Sequence, residues 1–287
     1  MKPLTIKRIF VFTSDGSDIE GVENAGIPIS AQRCHSVGSY SDLLKKIAAL
    51  NFHNSSLQLY YRGQTEDYQV HQSNSSLPVR SNLYPKILRS LPAERKKRSA
   101  RISQRTAILE KADGMLRKEL KIGYIHRHRL VRWSILQHYE VCATPMIDVT
   151  SSLQIALSFA VSNKQKDGFL FVFGLPHQSG PISTSVESMT QVIDLAKFCP
   201  PEFARPHFQC ASFLADYPTG LNPSDLVEMA PRLEANFACR LVTKFRLVGL
   251  SRWKTHGFFP TPETILYPND KDDLFPLMDS IRRALSE

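Results

Sequence analysis

The stretch Met146-Ile147-Asp148-Val149-Thr150-Ser151-Ser152-Leu153-Gln154-Ile155-Ala156-Leu157-Ser158-Phe159-Ala160-Val161 changes character in its middle. Residues 146–149 read as a short strand, whereas Leu153, Ala156, Leu157, Ala160 and Val161 recur at helical spacing and share one face. Between them, Thr150-Ser151-Ser152 supplies the side-chain oxygens that cap a helix N-terminus. The segment therefore reads as strand, cap and helix, and sets the fold class as one in which strands and helices pack on each other.

On the N-terminal side, Leu57-Gln58-Leu59-Tyr60-Tyr61 follows the turn Asn54-Ser55-Ser56 and is rich in β-formers, which predicts a strand ending at Arg62-Gly63. Ahead of it, Leu43, Leu44, Ile47 and Leu50 predict a helix capped by Ser41. Residues 1–12 predict a first strand, with 1–32 as an N-terminal strand-and-loop extension and 33–287 as the main domain. The charged zone 90–123 predicts two helices with Ile102, Ile108, Leu109, Met115, Leu116 and Leu120 as apolar positions. A further helix is expected over 131–139, stopping before Pro145. On the C-terminal side, strands are expected over 168–175, 192–195, 208–214, 239–248 and 264–267, punctuated by Gly and Pro. A helix-rich N-terminal half and a strand-rich C-terminal half, with no low-complexity linker and no internal repeat, predict one α+β domain.

A chain of 287 residues with 42% hydrophobic content is long enough to bury a sizeable core. Its longest apolar runs, 168–175 and 155–161, are far shorter than the roughly 20 residues that cross a bilayer. The start of the chain lacks a small-residue cleavage site, which predicts a cytoplasmic protein with no membrane contact. Cys34, Cys142, Cys199, Cys210 and Cys239 are too irregularly spaced for a metal ribbon or a disulfide framework, so reduced thiols are expected. The net charge of +9 favours an anionic partner. Much of the excess lies between Arg89 and Arg105, where Arg95, Lys96, Lys97, Arg98 and Arg101 form either a solvated helical face or a nucleic-acid contact.

Three segments place polar groups beside strand or helix ends, where ligands are commonly held. In Tyr61-Arg62-Gly63-Gln64 the Arg62 fork suits a phosphate and Gly63 allows close backbone approach; a structural ion pair explains Arg62 equally well. Gln137-His138-Tyr139 precedes Asp148 and the cap, so His138 reads either as a core histidine or as a catalyst. Asp148 is correspondingly a structural acceptor or an acid. Thr150, Ser151 and Ser152 serve as caps and as candidate ribose-hydroxyl partners. Glu263 precedes an expected strand at 264–267, where its carboxylate either faces a cleft or lies on a surface edge.

Together these residues resemble the successive blocks of the FRG domain family. The blocks are Tyr61-Arg62-Gly63-Gln64, Leu83-Tyr84-Pro85-Lys86-Ile87-Leu88-Arg89, Leu136-Gln137-His138-Tyr139, Asp148-Val149-Thr150-Ser151-Ser152 with Ala156 and Phe159-Ala160, Gln209-Cys210-Ala211-Ser212-Phe213, and the segment 263–273. The resemblance spans about residues 33–285. The chain departs from the family pattern at Glu140 and Ala211, where the family has Gly. It also departs at Thr144-Pro145-Met146 in place of Pro-Thr-Arg, and at Val149 in place of Trp.

A more distant similarity is to arginine-specific ADP-ribosyltransferases, which carry Tyr-Arg-Gly, a Ser/Thr strand leading into a helix, and a later Glu. That similarity implies a split sheet around a cleft that binds NAD, with no metal. It places Arg62 at the diphosphate and has Thr150 and Ser152 orient the nicotinamide ribose and Arg62, with Gly63, Gln64, Gln137, His138, Asp148 and Ser151 among the other substrate-binding groups. It puts Glu263 at the ribose 2′-hydroxyl as the catalytic carboxylate. Thr261 stands where a second acidic residue is usual, which implies NAD glycohydrolase activity or an acceptor other than arginine. The implied role is an NAD-dependent ADP-ribosyltransferase-like bacterial effector, a toxin or anti-phage defence protein, acting on an unidentified protein or nucleic acid. The alternatives are a non-catalytic nucleotide or nucleic-acid binding module, and a hydrolase or nuclease using His138, Asp148 and Glu263.

Overall fold

The computed structural model describes residues 9–22, 26–70, 80–161, 167–186, 189–217 and 237–286. Along the chain run β1 (Ile9–Phe12), β2 (Ile19–Val22), α1 (Gly26–Ala31), β3 (His35–Val37), α2 (Tyr40–His53), β4 (Leu57–Gln64), β5 (Gln69–Val70) and β6 (Arg80–Ser81). Then come α3 (Arg95–Glu119), α4 (Gly123–Arg127), α5 (Arg129–His138), β7 (Ile147–Thr150), α6 (Leu153–Ala160) and β8 (Asp167–Pro176). They are followed by β9 (Ile182–Ser185), β10 (Thr190–Asp194), α7 (Leu195–Phe198), α8 (Ala204–Phe208), β11 (Ala211–Asp216), β12 (Leu241–Val248), α9 (Glu263–Leu266) and α10 (Phe275–Ser286). The class is mixed α/β, helical towards the N-terminus and strand-rich towards the C-terminus. The expected strand from residue 1 lies partly outside the described residues; within them it begins at Ile9.

The chain divides into two compact units, each built from three separated stretches. Met1–Leu83, Val149–His177 and Phe237–Pro262 form the first; Tyr84–Asp148, Gln178–Asn236 and Glu263–Glu287 form the second. The change from one to the other at residue 148 therefore falls inside β7.

In the first unit the strands neighbour one another in the order β3-β12-β8-β4. β3 runs parallel to β12, while β8 is antiparallel to both β12 and β4. β8 is central and buried on both faces, which explains its unbroken run Phe169-Leu170-Phe171-Val172-Phe173. β4 is longer than expected: its ladder continues to Gln64 opposite Phe169, so Arg62 sits inside the strand, opposite Phe171, rather than at its end. β8 supplies the partners that extend it.

Helix α6 lies against β4 and β8. A Cβ on Gly63 would fall 1.7 Å from the Ala156 carbonyl oxygen, and one on Gly168 would fall 2.5 Å from that of Ala160. Helix backbone and strands thus meet across a seam of glycine and alanine. On α2 the cap is Ser39 rather than the expected Ser41, its hydroxyl accepting from Asp42 N–H at 3.2 Å. Leu43, Ile47 and Leu50 face inward as the spacing predicts. Asn54 joins this helix to β1, accepting from Phe10 N–H and donating to Phe10 C=O at 2.9 Å each.

In the second unit the strand order is β7-β11-β10-β9. Its core gathers Trp133, Leu136, Tyr139, Ile193, Phe213 and Met278. The zone expected to hold two helices is one 25-residue helix, α3, with the short α4 after it. No proline interrupts residues 95–119, and Ile102, Leu109 and Leu116 keep one buried stripe throughout. A buried pair ties α3 to α5, with Arg132 donating to both carboxylate oxygens of Asp113 at 2.8 and 2.9 Å.

Two expected strands are corrected in this unit. The segment 264–267 is helical: α9 begins at Glu263, and Tyr267 N–H donates to Glu263 C=O at 2.8 Å. Pro260, Pro262 and Pro268 deny the segment ladder donors on both sides. Residues 208–210 belong to the end of α8 and a reversal at Cys210, where φ is 45°, so β11 starts only at Ala211.

Candidate functional site

The candidate residues fall into two groups. Arg62, Gly63, Gln64, Thr150, Ser151 and Ser152 belong to the first unit, and Gln137, His138, Asp148 and Glu263 to the second.

In the first group, Tyr61 of β4 is registered opposite Thr150 of β7. The Thr150 hydroxyl accepts from Ser152 N–H at 3.0 Å, and the Ser152 hydroxyl accepts from Ile155 N–H at 3.3 Å. These two bonds shape the turn into α6, and Ser152 keeps its own O–H to donate. Ser151 projects into solvent. Because strand side chains alternate and Gly63 faces α6, Arg62 and Gln64 project to the opposite face of β4. The close approach that Gly63 permits is to that helix.

Across the ladder, Arg62 pairs with Phe171 and Phe171 with Lys244, which places the two cations in one row. Adjacent strands are about 4.8 Å apart, so their Cα atoms lie about 10 Å from each other. Lys244 is buried and donates to Ser30 C=O at 2.9 Å and to the Ser81 hydroxyl at 2.7 Å. The Asp67 carboxylate lies 3.6 Å from its Nζ. Cys34 points its thiol at the same carboxylate, and burial pushes that thiol up to about 12, so it stays protonated.

In the second group, Thr144 donates to the Gln137 side-chain oxygen, and Gln137 Nε2 donates to Asp148 at 3.2 Å. This relay orients the exposed Asp148 carboxylate. His138 is buried edge-on to Phe213 and Tyr139. Burial, reinforced by the nearby Arg205 charge, pushes its imidazole down to about 3, so it is neutral at pH 7. Its Nε2 is buried without a hydrogen-bond partner among the described residues.

Arg205, itself buried, stacks on Tyr267 at 4.6 Å and Tyr139 at 5.4 Å and donates to Glu140 at 3.1 Å. Glu140 adopts φ 60°, the left-handed conformation that glycine takes without strain. Glu140 thus holds a backbone that suits glycine and also presents a carboxylate to Arg205. Glu263 is exposed at the start of α9. Tyr267 is raised by burial, against the lowering influence of Arg205, with Glu140, Asp148 and Glu263 adding to the rise. Those three carboxylates and one guanidinium therefore share a neighbourhood around the Tyr267 ring.

Arg205, Asp67, Lys244 and Asp272 are site-building residues that sequence reasoning did not single out. None of them carried a local signal: Lys244 lies in Thr243-Lys244-Phe245-Arg246, where the sequence does not distinguish the buried cation from the exposed Arg246. Within the basic stretch, Arg89 and Arg105 are committed to backbone carbonyls, Arg89 to Tyr84 at 2.8 Å and Arg105 to Ile87 at 2.8 Å. Arg95, Lys96 and Arg101 are exposed, and Lys97 pairs with Glu94 at 2.8 Å. Among the described residues no His, Cys, Asp and Glu cluster has metal-site geometry, and Cys34, Cys142, Cys199 and Cys210 are free. No described helix is long and apolar enough to cross a membrane.

A mixed α/β chain with an arginine on a buried central strand beside a Ser/Thr-capped helix is the class these observations define. Residues 57–168 match the FRG domain family, so the chain contains an FRG domain region. That region holds the first four of the six sequence blocks, including Arg62 and Ser152; the blocks at 209–213 and 263–273 lie beyond it. No curated protein and no solved structure matches the chain.

Proposed function

We propose that this chain binds NAD through Arg62 and breaks the bond between nicotinamide and ribose, as an ADP-ribosyltransferase-like protein with water or a macromolecule as acceptor. The observation that carries the reading is the register of Tyr61 opposite Thr150, because it sets the Arg62 strand beside the strand that turns through Ser152 into α6. A guanidinium on a rigid central strand offers a fixed fork to a diphosphate. The Ser152 O–H, already oriented by its bond to Ile155 N–H, can donate to a ribose hydroxyl. In the reaction the C1′–N bond breaks, its electron pair leaves with nicotinamide, and the ribose carbon gains positive charge until water or an acceptor attacks it. A carboxylate held near that carbon lowers the barrier. The resemblance assigns this task to Glu263.

The test is release of nicotinamide from NAD, with transfer of labelled ADP-ribose to cell extract as the second readout. Arg62→Ala should raise the KM for NAD at least tenfold, and Glu263→Gln should lower kcat. A wild-type protein that releases no nicotinamide and labels nothing would sink the reading. The biological setting we infer is a bacterial effector, a toxin or an anti-phage protein. The exposed Arg95, Lys96 and Arg101 favour one alternative, a nucleic-acid binding module, which predicts affinity that falls steeply with salt.

A further inference from the structure

Gln64 and Asp67 follow Arg62 closely in the chain, and each carries a buried acceptor, Gln64 Oε1 and Asp67 Oδ1, with no hydrogen-bond partner among the described residues. Gln64 is 8% exposed and the Asp67 side chain 9%, so bulk water does not satisfy either. Native proteins rarely leave such groups unpaired. The Asp67 carboxylate is anchored through its other oxygen, Oδ2, which lies 3.6 Å from Lys244 Nζ and accepts from the Cys34 thiol at 3.7 Å. Lys244 in turn occupies the Arg62–Phe171–Lys244 row. Asp67 is therefore held on the Arg62 face of the sheet, with one oxygen committed and one open. Arg80 Nε, beside the Ser81 that binds Lys244, is a further buried group without a partner among the described residues.

An arginine that suits phosphate and two orphaned acceptors on one face call for a ligand with anionic oxygens and hydrogen-bond donors together. A nucleotide has both. We propose that Gln64 and Asp67 bind the donor groups, a ribose hydroxyl or the exocyclic amine of the base, of the nucleotide whose phosphates Arg62 holds. This rests on the NAD reading above and adds to it the residues that separate a nucleotide from bare diphosphate. The open Asp67 oxygen carries the larger share, because a charged acceptor forms the stronger hydrogen bond.

The experiment measures binding of NAD and of inorganic pyrophosphate to the wild-type protein, Arg62→Ala, Asp67→Asn and Gln64→Leu, with thermal melting of each. Arg62→Ala should weaken both ligands. Asp67→Asn and Gln64→Leu should weaken NAD about tenfold and leave pyrophosphate unchanged. Gln64→Leu keeps the Asp67–Lys244 pair intact, so it carries the test if Asp67→Asn melts early. Nicotinamide hypoxanthine dinucleotide, which lacks the amine, and NADP, which blocks a ribose hydroxyl, identify the donor: the wild type should prefer NAD over one of them, and Asp67→Asn should erase that preference. A wild type that binds NAD, with both variants binding it equally well, overturns this inference alone. A wild type that binds neither NAD nor pyrophosphate overturns the NAD reading and this inference with it.

Discussion

Gly63 lies directly beneath Ala156: a side chain begun on Gly63 would place its first carbon 1.7 Å from the Ala156 carbonyl oxygen. That oxygen is backbone of α6, so no side-chain rotation relieves the clash and the helix itself must move. Gly63→Ala is therefore expected to cost about 3 kcal/mol or more, as severe overpacking does. Gly114, exposed within α3 with nothing within 4 Å of its would-be Cβ, is the control. Gly114→Ala should stabilise by about 1 kcal/mol, the usual helix propensity gain. Urea unfolding of the two variants checks this, and a Gly63→Ala protein as stable as the wild type would mean that α6 does not rest on β4.

Glu140 holds a left-handed backbone at φ 60°, and its carboxylate accepts from the Arg205 guanidinium at 3.1 Å. Replacing it by Gly or by Val removes the carboxylate in both cases, so their difference isolates the backbone. Val is β-branched and strained at positive φ, whereas Gly is not. Glu140→Val should be less stable than Glu140→Gly by about 1–2 kcal/mol. Equal melting temperatures for the two would refute the strain at this position.

The Ser152 cap, the α6 face and the buried β8 run each depend on neighbours within a few residues, and spacing reveals such neighbours. The expectation for α2 missed its cap by two residues because Ser39 and Ser41 have the same chemistry, and only the Asp42 N–H bond distinguishes them. The segment 264–267 reads as a strand because Thr264-Ile265-Leu266 is apolar enough for either structure, and the flanking prolines decide for the helix that begins at Glu263. Arg62 was set at a strand end because the partner that prolongs β4, at Phe169 and Phe171, is about a hundred residues away. The Lys244–Asp67 pair and the Arg205 stack likewise join residues remote in sequence, and no periodicity announces them.

His138 makes the second unit sensitive to acid. Burial first, and the Arg205 charge second, lower its imidazole from the ordinary 6.5 to about 3. The unfolded chain takes up a proton near pH 6.5 and the folded chain only near pH 3, so the stability His138 contributes is complete above 6.5 and falls away as pH drops towards 3. The slope is at most about 1.4 kcal/mol per pH unit, which amounts to about 2 kcal/mol between pH 6.5 and 5. His138→Gln should show a shallower loss of stability over that interval, measured from urea midpoints. Parallel pH profiles for variant and wild type would show that another group controls the acid response.

Asp272 organises the residues around Arg205: it accepts from the Tyr139 hydroxyl at 2.7 Å, from the backbone N–H of Arg205 at 2.8 Å and from Leu274 N–H at 3.0 Å. The first two meet one carboxylate oxygen and the third meets the other. Asp272→Ala leaves three buried donors without an acceptor, for an expected loss of about 3 kcal/mol or more. Asp272→Asn preserves volume but turns an NH2 group towards a donor in either orientation of the amide. If its oxygen faces Tyr139 and Arg205, the NH2 opposes Leu274 N–H; reversed, it opposes the other two. The Asn variant should therefore fall between the wild type and Ala in unfolding free energy. An Asn variant as stable as the wild type would show that the second oxygen contributes nothing, and the bond to Leu274 would then be incidental to the fold.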